Sequence, residues 1–129
     1  MKLSANLGLL WPELPLLDRV YKAKEKNFDA VEFQFPYEVD ANELKKAIDK
    51  INLPIIGINT IKGNVSKGDN GLNAVPSRVQ EARSAIDQAI EYAKVIGSKN
   101  IHFMCGITEQ NHNSLKTLVE NLQYAVSQL

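Results

Sequence analysis

The chain has 129 residues, of which 44% are hydrophobic and 23% are charged, and its 15 basic residues balance its 15 acidic ones. This size and composition predict one domain, residues 1–129, and the balanced charge excludes the basic surface with which proteins bind a nucleic-acid backbone. Because the chain has one cysteine and no apolar run of membrane-spanning length, the sequence predicts a cytoplasmic protein without membrane contact.

Strand and helix patterns alternate along the chain. Short runs rich in β-branched and aromatic residues predict strands at residues 2–7, 28–37, 54–59 and 100–105. Apolar residues at spacings of three and four, found within residues 16–21, 44–51, 82–96 and 115–129, predict a helix after each strand. The order βαβαβαβα predicts an α/β fold with a parallel sheet and right-handed crossovers.

Local signals mark the ends of several helices. Asp40 and Glu43 form a predicted capping box at the start of the second helix. Asn27 and Gly97 follow the first and third helices, and both residue types adopt the left-handed conformation that ends a helix.

The connections from strand to helix are longer than those from helix to strand, and the longest is the loop of residues 60–75, TIKGNVSKGDNGLNAV. Loops of this length are usually functional, and parallel α/β folds place their sites at the carboxyl ends of the strands. The glycines of this loop lack the spacing of a phosphate-binding loop. We therefore expect its glycine-rich part, residues 63–71, to be a mobile lid.

Each predicted strand carries a polar residue among apolar neighbours. These residues are Asn6, Glu32, Asn59 and His102, and in a barrel such side chains would line a common pocket. We expect Glu32 to accept hydrogen bonds there, since an unpaired buried carboxylate is costly, and the alternative is a solvated sheet face. Asn6 and Asn59 either contact substrate oxygens or close the strand ends through local backbone bonds. His102 is either a binding residue or a hydrogen-bonded core histidine.

Arg78 is a fifth candidate for substrate binding. Its planar guanidinium suits a carboxylate, and the alternative is an ion pair with Glu81 on the same helix. Cys105 is expected to pack as a small hydrophobe. The two histidines and the cysteine are too scattered to predict a zinc or iron site.

Several stretches in this order resemble the hydroxypyruvate isomerase family, in the xylose isomerase-like group of TIM barrels. They are SANLGLLWPE at the start, FDAVEFQFPY, residues 68–78 with Glu81 and Arg83, and LVENLQYA at residues 118–125. The resemblance covers essentially the whole chain, but only the first half of a barrel that usually needs about 250 residues. It implies the (βα)4 amino-terminal half of a TIM barrel, with parallel strands and outer helices.

The resemblance also implies a chemistry. Enzymes of this family are taken to interconvert hydroxypyruvate and tartronate semialdehyde, which requires an acid, a base and stabilisation of an enediolate. A small sugar-acid substrate and a divalent cation, Mg²⁺ or Mn²⁺, are therefore implied for the full-length family. The family's acid/base glutamates and metal ligands lie beyond the position of Leu129. Neither a catalytic residue nor a bound metal is thus expected in this chain alone.

Two departures from the family lie in the long loop. Gly63-Asn64-Val65 stands where the family tends to have Gly-Asp-Trp, and Asn70 stands where an arginine usually precedes the second glycine. These differences leave a related substrate, such as 2-oxo-tetronate, open.

Three interpretations of the function follow. The chain is a hydroxypyruvate isomerase-like enzyme of carbohydrate metabolism seen as a half barrel, a non-catalytic half-barrel assembly or small-molecule binding module, or a fragment of a full-length isomerase. A half barrel leaves its first and last strands unpaired and its inner face uncovered. We therefore predict a homodimer or a larger homo-oligomer.

Overall fold

The computed structural model describes all residues from Met1 to Leu129 and contains the predicted alternation of strands and helices. The strands are β1 (Ser4–Asn6), β2 (Ala30–Glu32), β3 (Ile55–Asn59) and β4 (Ile101–His102). The helices are α1 (Leu16–Glu25), α2 (Ala41–Ile51), α3 (Val79–Ile96) and α4 (His112–Ser127). The strands form one sheet in the order β1-β2-β3-β4, and the pairings of β1 with β2 and of β2 with β3 are parallel. The prediction of a four-unit α/β half barrel is confirmed.

The strands are shorter than predicted. The register of β2 against β3 shifts between Val31, which pairs with Ile55, and Glu32, which pairs with Gly57. One further ladder bond joins the Phe33 N–H to the Gly57 carbonyl, at 3.0 Å. The irregularity bends the chain, so the predicted strand of residues 28–37 is regular only over Ala30–Glu32.

The predicted helix ends are largely confirmed. The Asp40 carboxylate accepts the N–H groups of Asn42 and Glu43, each at 3.0 Å, and so caps α2. Asn27 has a φ of 61° and Gly97 a φ of 73°, so both adopt the left-handed conformation expected of them.

Contacts within the chain define two compact units. The first contains residues 1–58 and 92–101, and the second contains residues 59–91 and 102–129. The single-domain organisation stays a prediction. No α-helix combines the length and the apolar content needed to cross a membrane.

The first unit has a hydrophobic core built from strands β1 to β3, helices α1 and α2, and the end of α3. Its most deeply buried side chains include Ala5, Leu7, Val20, Ala23, Val31, Phe33, Leu44 and Ile58. Along β1 and β2, buried residues alternate with the partly exposed Asn6, Glu32 and Gln34. One face of this part of the sheet therefore packs on the core, and the opposite face carries the polar residues.

The second unit buries smaller apolar side chains together with polar ones. The buried apolar residues include Leu72, Ala82, Ile86, Ala89 and Ala125. The buried polar residues are Thr60, Asn73, Ser114, Thr117 and Asn121. Such polar groups need hydrogen-bond partners, and several of them hold the end of the long loop in place.

Candidate functional site

In the first unit, the structure brings Asn6 and Glu32 together. They are directly paired in the parallel ladder of β1 and β2, so their side chains leave the same face of the sheet. The Asn6 side-chain oxygen accepts the Gly8 N–H at 3.0 Å, which is the local strand-closing bond predicted as one of its two alternatives. Glu32 is partly exposed on this face rather than buried. Its carboxylate is therefore accessible to a polar ligand.

A small cavity of about 150 Å³ lies beside these strand ends in the first unit, lined in part by Gly8, Arg19, Gln34 and Glu38. Gln34 lies directly against Gly8, because a Cβ built on Gly8 would be within 2.5 Å of the Gln34 side chain. Arg19 donates to the backbone carbonyls of three residues, Leu7, Pro12 and Leu14. Arg19 thus holds the turn after β1, and Gln34 joins Glu32 as a polar group at this end of the sheet.

In the second unit, Asn59 and His102 lie on adjacent strands. The Thr60 N–H donates to the His102 carbonyl at 3.0 Å, which brings the end of β3 alongside β4. The His102 side chain is exposed, so the alternative of a buried core histidine is wrong. Asn59 is partly buried, and its amide nitrogen lies 3.9 Å from the Met104 sulfur.

A buried amide network was not predicted from the sequence. Asn73, which is 1% exposed, donates through its side-chain nitrogen to the Met104 carbonyl at 2.9 Å and to the Thr60 hydroxyl at 3.3 Å. Asn121 of α4 is also 1% exposed and donates to the Asn73 carbonyl at 3.0 Å. Both asparagines lie in stretches that carry the family resemblance, but polar residues near loops and on helix surfaces gave no sign of burial.

This network attaches the end of the long loop to the residues after β4. The N–H groups of Leu72 and Asn73 donate to the Met104 carbonyl, each at 3.1 Å, and that of Ala74 donates to the Cys105 carbonyl at 2.7 Å. Residues 71–74 are all buried. Residues 72–74, which follow the predicted lid, are therefore anchored, and the mobile lid at residues 63–71 stays a prediction.

Arg78 joins two carboxylates in the second unit. Its guanidinium donates to Asp69 at 2.6 Å and to Glu81 at 2.7 and 3.0 Å. The hydrogen bond from Arg78, followed by the one from the Asn64 N–H, lowers the pKa of Asp69, and the hydrogen bond from Arg78 also lowers the pKa of Glu81. Conversely, hydrogen bonds to Glu81 and then to Asp69 raise the pKa of Arg78. The ion pair with Glu81, one of the two alternatives for Arg78, is thus formed.

The residues of this chain do not form the divalent-cation site that the family resemblance implies. No group of three or more His, Cys, Asp or Glu side chains is arranged to hold a metal ion. Carboxylate oxygens are the usual side-chain ligands of Mg²⁺ and Mn²⁺, so the chain lacks a clustered ligand set of the kind that either ion prefers. Cys105 is exposed, so the prediction that it packs as a small hydrophobe is wrong.

Comparisons with known proteins decide the family. The sequence model of a family described as xylose isomerase-like TIM barrel matches residues 20–129. The chain belongs to this family. The family recognised from the sequence is thereby confirmed.

Relatives with isomerase names share more than a third of the sequence. The 2-oxo-tetronate isomerase of Haemophilus influenzae is 37% identical over 96% of this chain and 49% of its own length. The hydroxypyruvate isomerase of Escherichia coli is 37% identical over 100% of this chain and 51% of its own length. The chain therefore spans about half the length of the curated relatives that it matches.

Solved structures agree on the fold. A Brucella melitensis protein, described as an AP endonuclease of family 2, is 35% identical, with a TM-score of 0.91 over 100% of this chain and 51% of its own. An L-ribulose 3-epimerase, only 16% identical and with a TM-score of 0.65, shows the fold alone. The substrate-binding roles of Asn6, Glu32, Asn59, Arg78 and His102 stay predictions.

Proposed function

We propose that the chain is the sugar-acid-binding half of an aldose–ketose isomerase that acts on hydroxypyruvate, 2-oxo-tetronate or a related sugar acid. Support comes from the isomerase relatives, which match the chain over nearly its whole length. The observation that carries the proposal is the pair formed by Asn6 and Glu32, on the sheet face opposite the core and at the carboxyl ends of parallel strands. We also propose a cytoplasmic location, in line with the single, unpaired cysteine.

In this proposal the residues of the chain bind and orient the substrate. The Glu32 carboxylate accepts hydrogen bonds from substrate hydroxyl groups, and the Asn6 amide contacts substrate oxygens. Arg78 acts indirectly, because its hydrogen bond to Asp69 holds the long loop to the start of α3.

Proton transfer is assigned to groups outside these residues. Moving a carbonyl between adjacent carbons requires a base to remove a proton next to the carbonyl and an acid to return it. The Arg78 ion pairs lower the carboxyl pKa values of Asp69 and Glu81, and a lowered pKa makes a carboxylate a weaker base. The chain alone is therefore expected to bind a sugar acid without converting it.

A second candidate is a non-catalytic half barrel that binds a small molecule as its whole function. The first candidate also expects no cluster of metal ligands among these residues, so the lack of one does not separate the two. The two candidates share the binding step. They differ in whether further acid/base groups can be added to the same site.

Isothermal titration calorimetry of the purified chain with hydroxypyruvate, with and without Mg²⁺, tests the binding step. We expect saturable binding that Glu32→Gln weakens about tenfold, since the substitution removes a charge-assisted hydrogen bond. The matched control is Glu25→Gln, which changes a carboxylate whose side chain is 69% exposed on α1. Binding that is absent, or equally weakened by both substitutions, would contradict the proposal.

Turnover is followed in the same samples by NMR. Loss of hydroxypyruvate with formation of tartronate semialdehyde would show that the chain carries its own acid/base groups and would overturn the assignment of proton transfer to groups elsewhere. Binding without turnover is the expected result. Turnover after addition of the carboxyl-terminal half of a relative would favour the isomerase over the binding module.

A further inference from the structure

The cavity of about 150 Å³ in the first unit lies between the strand-to-helix connections that follow β1 and β2. Its polar lining consists of the side chains of Arg19, Gln34 and Glu38. Its apolar lining consists of Leu7, Leu16, Phe33, Phe35 and Pro36. All of these residues belong to the first unit, so two neighbouring parts of the sheet form the cavity by themselves.

Gly8 and Gln34 fit against each other at the edge of this cavity. A Cβ built on Gly8 would lie 2.5 Å from Cγ of Gln34, 2.8 Å from its Cβ and 2.9 Å from its Cδ. Gly8 does not have one of the positive φ angles that favour glycine in this chain. The space that the Gln34 side chain occupies is therefore the physical reason why a glycine suits position 8.

The Gln34 amide is available to a ligand. It makes no hydrogen bond within the chain, although Gln34 is only partly exposed. Gln34 lies on the same face of the sheet as Glu32, two residues further towards the carboxyl end. A ligand that contacts Glu32 therefore reaches Gln34 if it extends in that direction, and the amide can both donate to it and accept from it.

Both walls of the cavity are fixed by hydrogen bonds to the backbone. Arg19 donates to three carbonyls of the connection between β1 and α1, at 2.7 to 2.9 Å. On the other side, the Tyr92 hydroxyl of α3 lies 2.9 Å from the Pro36 carbonyl and 2.8 Å from the Val39 carbonyl. The cavity is thus formed before a ligand binds, which lowers the entropy cost of binding.

The size and charge of the cavity limit what it can hold. A water molecule takes up about 30 Å³ in the liquid, so the cavity has room for about five water molecules and not for an entire sugar acid. Arg19 and Glu38 contribute one charge of each sign, so the lining has no net charge that would favour a carboxylate. The Gln34 amide and the Glu38 carboxylate suit a hydroxyl group, which can both donate and accept.

We propose that this cavity receives the terminal hydroxyl end of a sugar acid with four or more carbons, and that Gln34 selects for this length. The inference rests on the proposed function, in which Asn6 and Glu32 contact the part that shorter and longer acids share. Hydroxypyruvate has three carbons and lacks the additional hydroxyl-bearing carbon. The chain should therefore prefer an acid of the length of 2-oxo-tetronate to hydroxypyruvate.

Isothermal titration calorimetry with sugar acids of two lengths tests this selectivity. D-glycerate has three carbons, and D-erythronate and L-threonate have four and differ in the configuration of one hydroxyl. None of them has a carbonyl group to isomerise, so binding alone is measured. The better of the two four-carbon acids should bind about tenfold more tightly than D-glycerate, since it adds hydrogen bonds to groups that are otherwise unpaired.

Gln34→Leu removes the amide and keeps a side chain of similar size. It should reduce the tenfold preference to less than about twofold. Gly8→Ala should also reduce the preference, because its Cβ overlaps the Gln34 side chain. The matched control, Gln88→Leu, makes the same change at an exposed position of α3 and should keep the full preference. Circular dichroism and urea unfolding verify that the three variants are folded.

The ratio of the two affinities separates selection from a general loss of structure, because a general loss weakens both lengths of acid equally. Equal binding of three-carbon and four-carbon acids by the wild-type chain overturns this inference alone. A preference that survives Gln34→Leu or Gly8→Ala also overturns it. If neither length of acid binds, the proposed function fails and this inference fails with it.

Discussion

Gly71 is a residue at which even the smallest substitution is predicted to disturb the second unit strongly. Its φ is +112°, and a Cβ built on it would lie 2.5 Å from the Met104 carbonyl oxygen and 2.7 Å from the Gly106 nitrogen. Both atoms belong to the backbone, so they cannot rotate away as the end of a side chain could. Gly71→Ala should therefore push the long loop away from the residues after β4.

The expected loss of stability in Gly71→Ala follows from the hydrogen bonds made by the residues after Gly71. Residues 72–74 donate three hydrogen bonds to the carbonyls of Met104 and Cys105. Losing them costs about 1 kcal/mol each, and an alanine with a positive φ adds about 1 kcal/mol of backbone strain. Gly71→Ala should thus lower the free energy of unfolding by about 4 kcal/mol, a large part of the stability of a domain of this size.

Gly68→Ala is the matched control. Gly68 lies in the same loop and has a φ of +88°, but a Cβ added to it would have no atom within 4 Å. Gly68→Ala should therefore lower the free energy of unfolding by the backbone strain alone, about 1 kcal/mol. Urea unfolding followed by circular dichroism measures both variants. If the two substitutions cost the same, the close approach of the two backbones is not what holds the loop, and the reasoning is refuted.

Two further substitutions test other contacts of the second unit. In Arg78→Gln the pKa of Asp69 should rise towards its usual value, because the main hydrogen bond that lowers this pKa is lost. Carbon-13 NMR titration of the Asp69 carboxyl group measures the change. An unchanged titration midpoint would contradict the ion pair. Because the pKa of Asp69 is lower in the folded state than the value of 3.8 in the unfolded state, its carboxylate stabilises the fold at a pH above 3.8. This stabilisation is lost as the pH falls through the folded-state pKa. Arg78→Gln removes its main cause and should therefore lessen the loss of stability in acid. Asn121→Ala should lower the free energy of unfolding by about 2 kcal/mol, since it leaves the buried carbonyl of Asn73 without its donor. The control, Gln123→Ala, changes an exposed residue and should alter the free energy of unfolding by less than about 0.5 kcal/mol. Equal urea midpoints for these two variants would argue against the buried network.

Element type and order could be predicted from the sequence because they depend on local pattern. The apolar spacing of α2 and the cap at Asp40 act within a few residues of each other, and the structure has both. Strand length was less predictable. The predicted strand at residues 100–105 is regular only over Ile101–His102, because the Met104 and Cys105 carbonyls accept hydrogen bonds from the loop at residues 72–74 instead of from a neighbouring strand. These hydrogen bonds join residues about thirty positions apart in the chain, so a local sequence pattern cannot predict them.

The candidate site also has some features that the sequence predicted and others that it could not. The alternation along β1 and β2 was sufficient to place Asn6 and Glu32 on one face, because side chains of a strand alternate with a period of two. The two alternatives for Arg78 could not be separated, because both use the same guanidinium. The structure decided that Asp69 and Glu81 occupy it. The burial of Asn73 and Asn121 was unexpected, because an asparagine at a loop or helix position is usually exposed.

By itself, the sequence determined the half-barrel order of strands and helices, the ends of the helices, and the polar face of the sheet, since each of these depends on residues close together in the chain. Only the tertiary structure decided that the end of the long loop is anchored rather than free and that Arg78 joins two carboxylates. These features arise when distant segments meet. Which groups satisfy one another's hydrogen bonds, and which apolar surface stays in water, depends on how those segments pack.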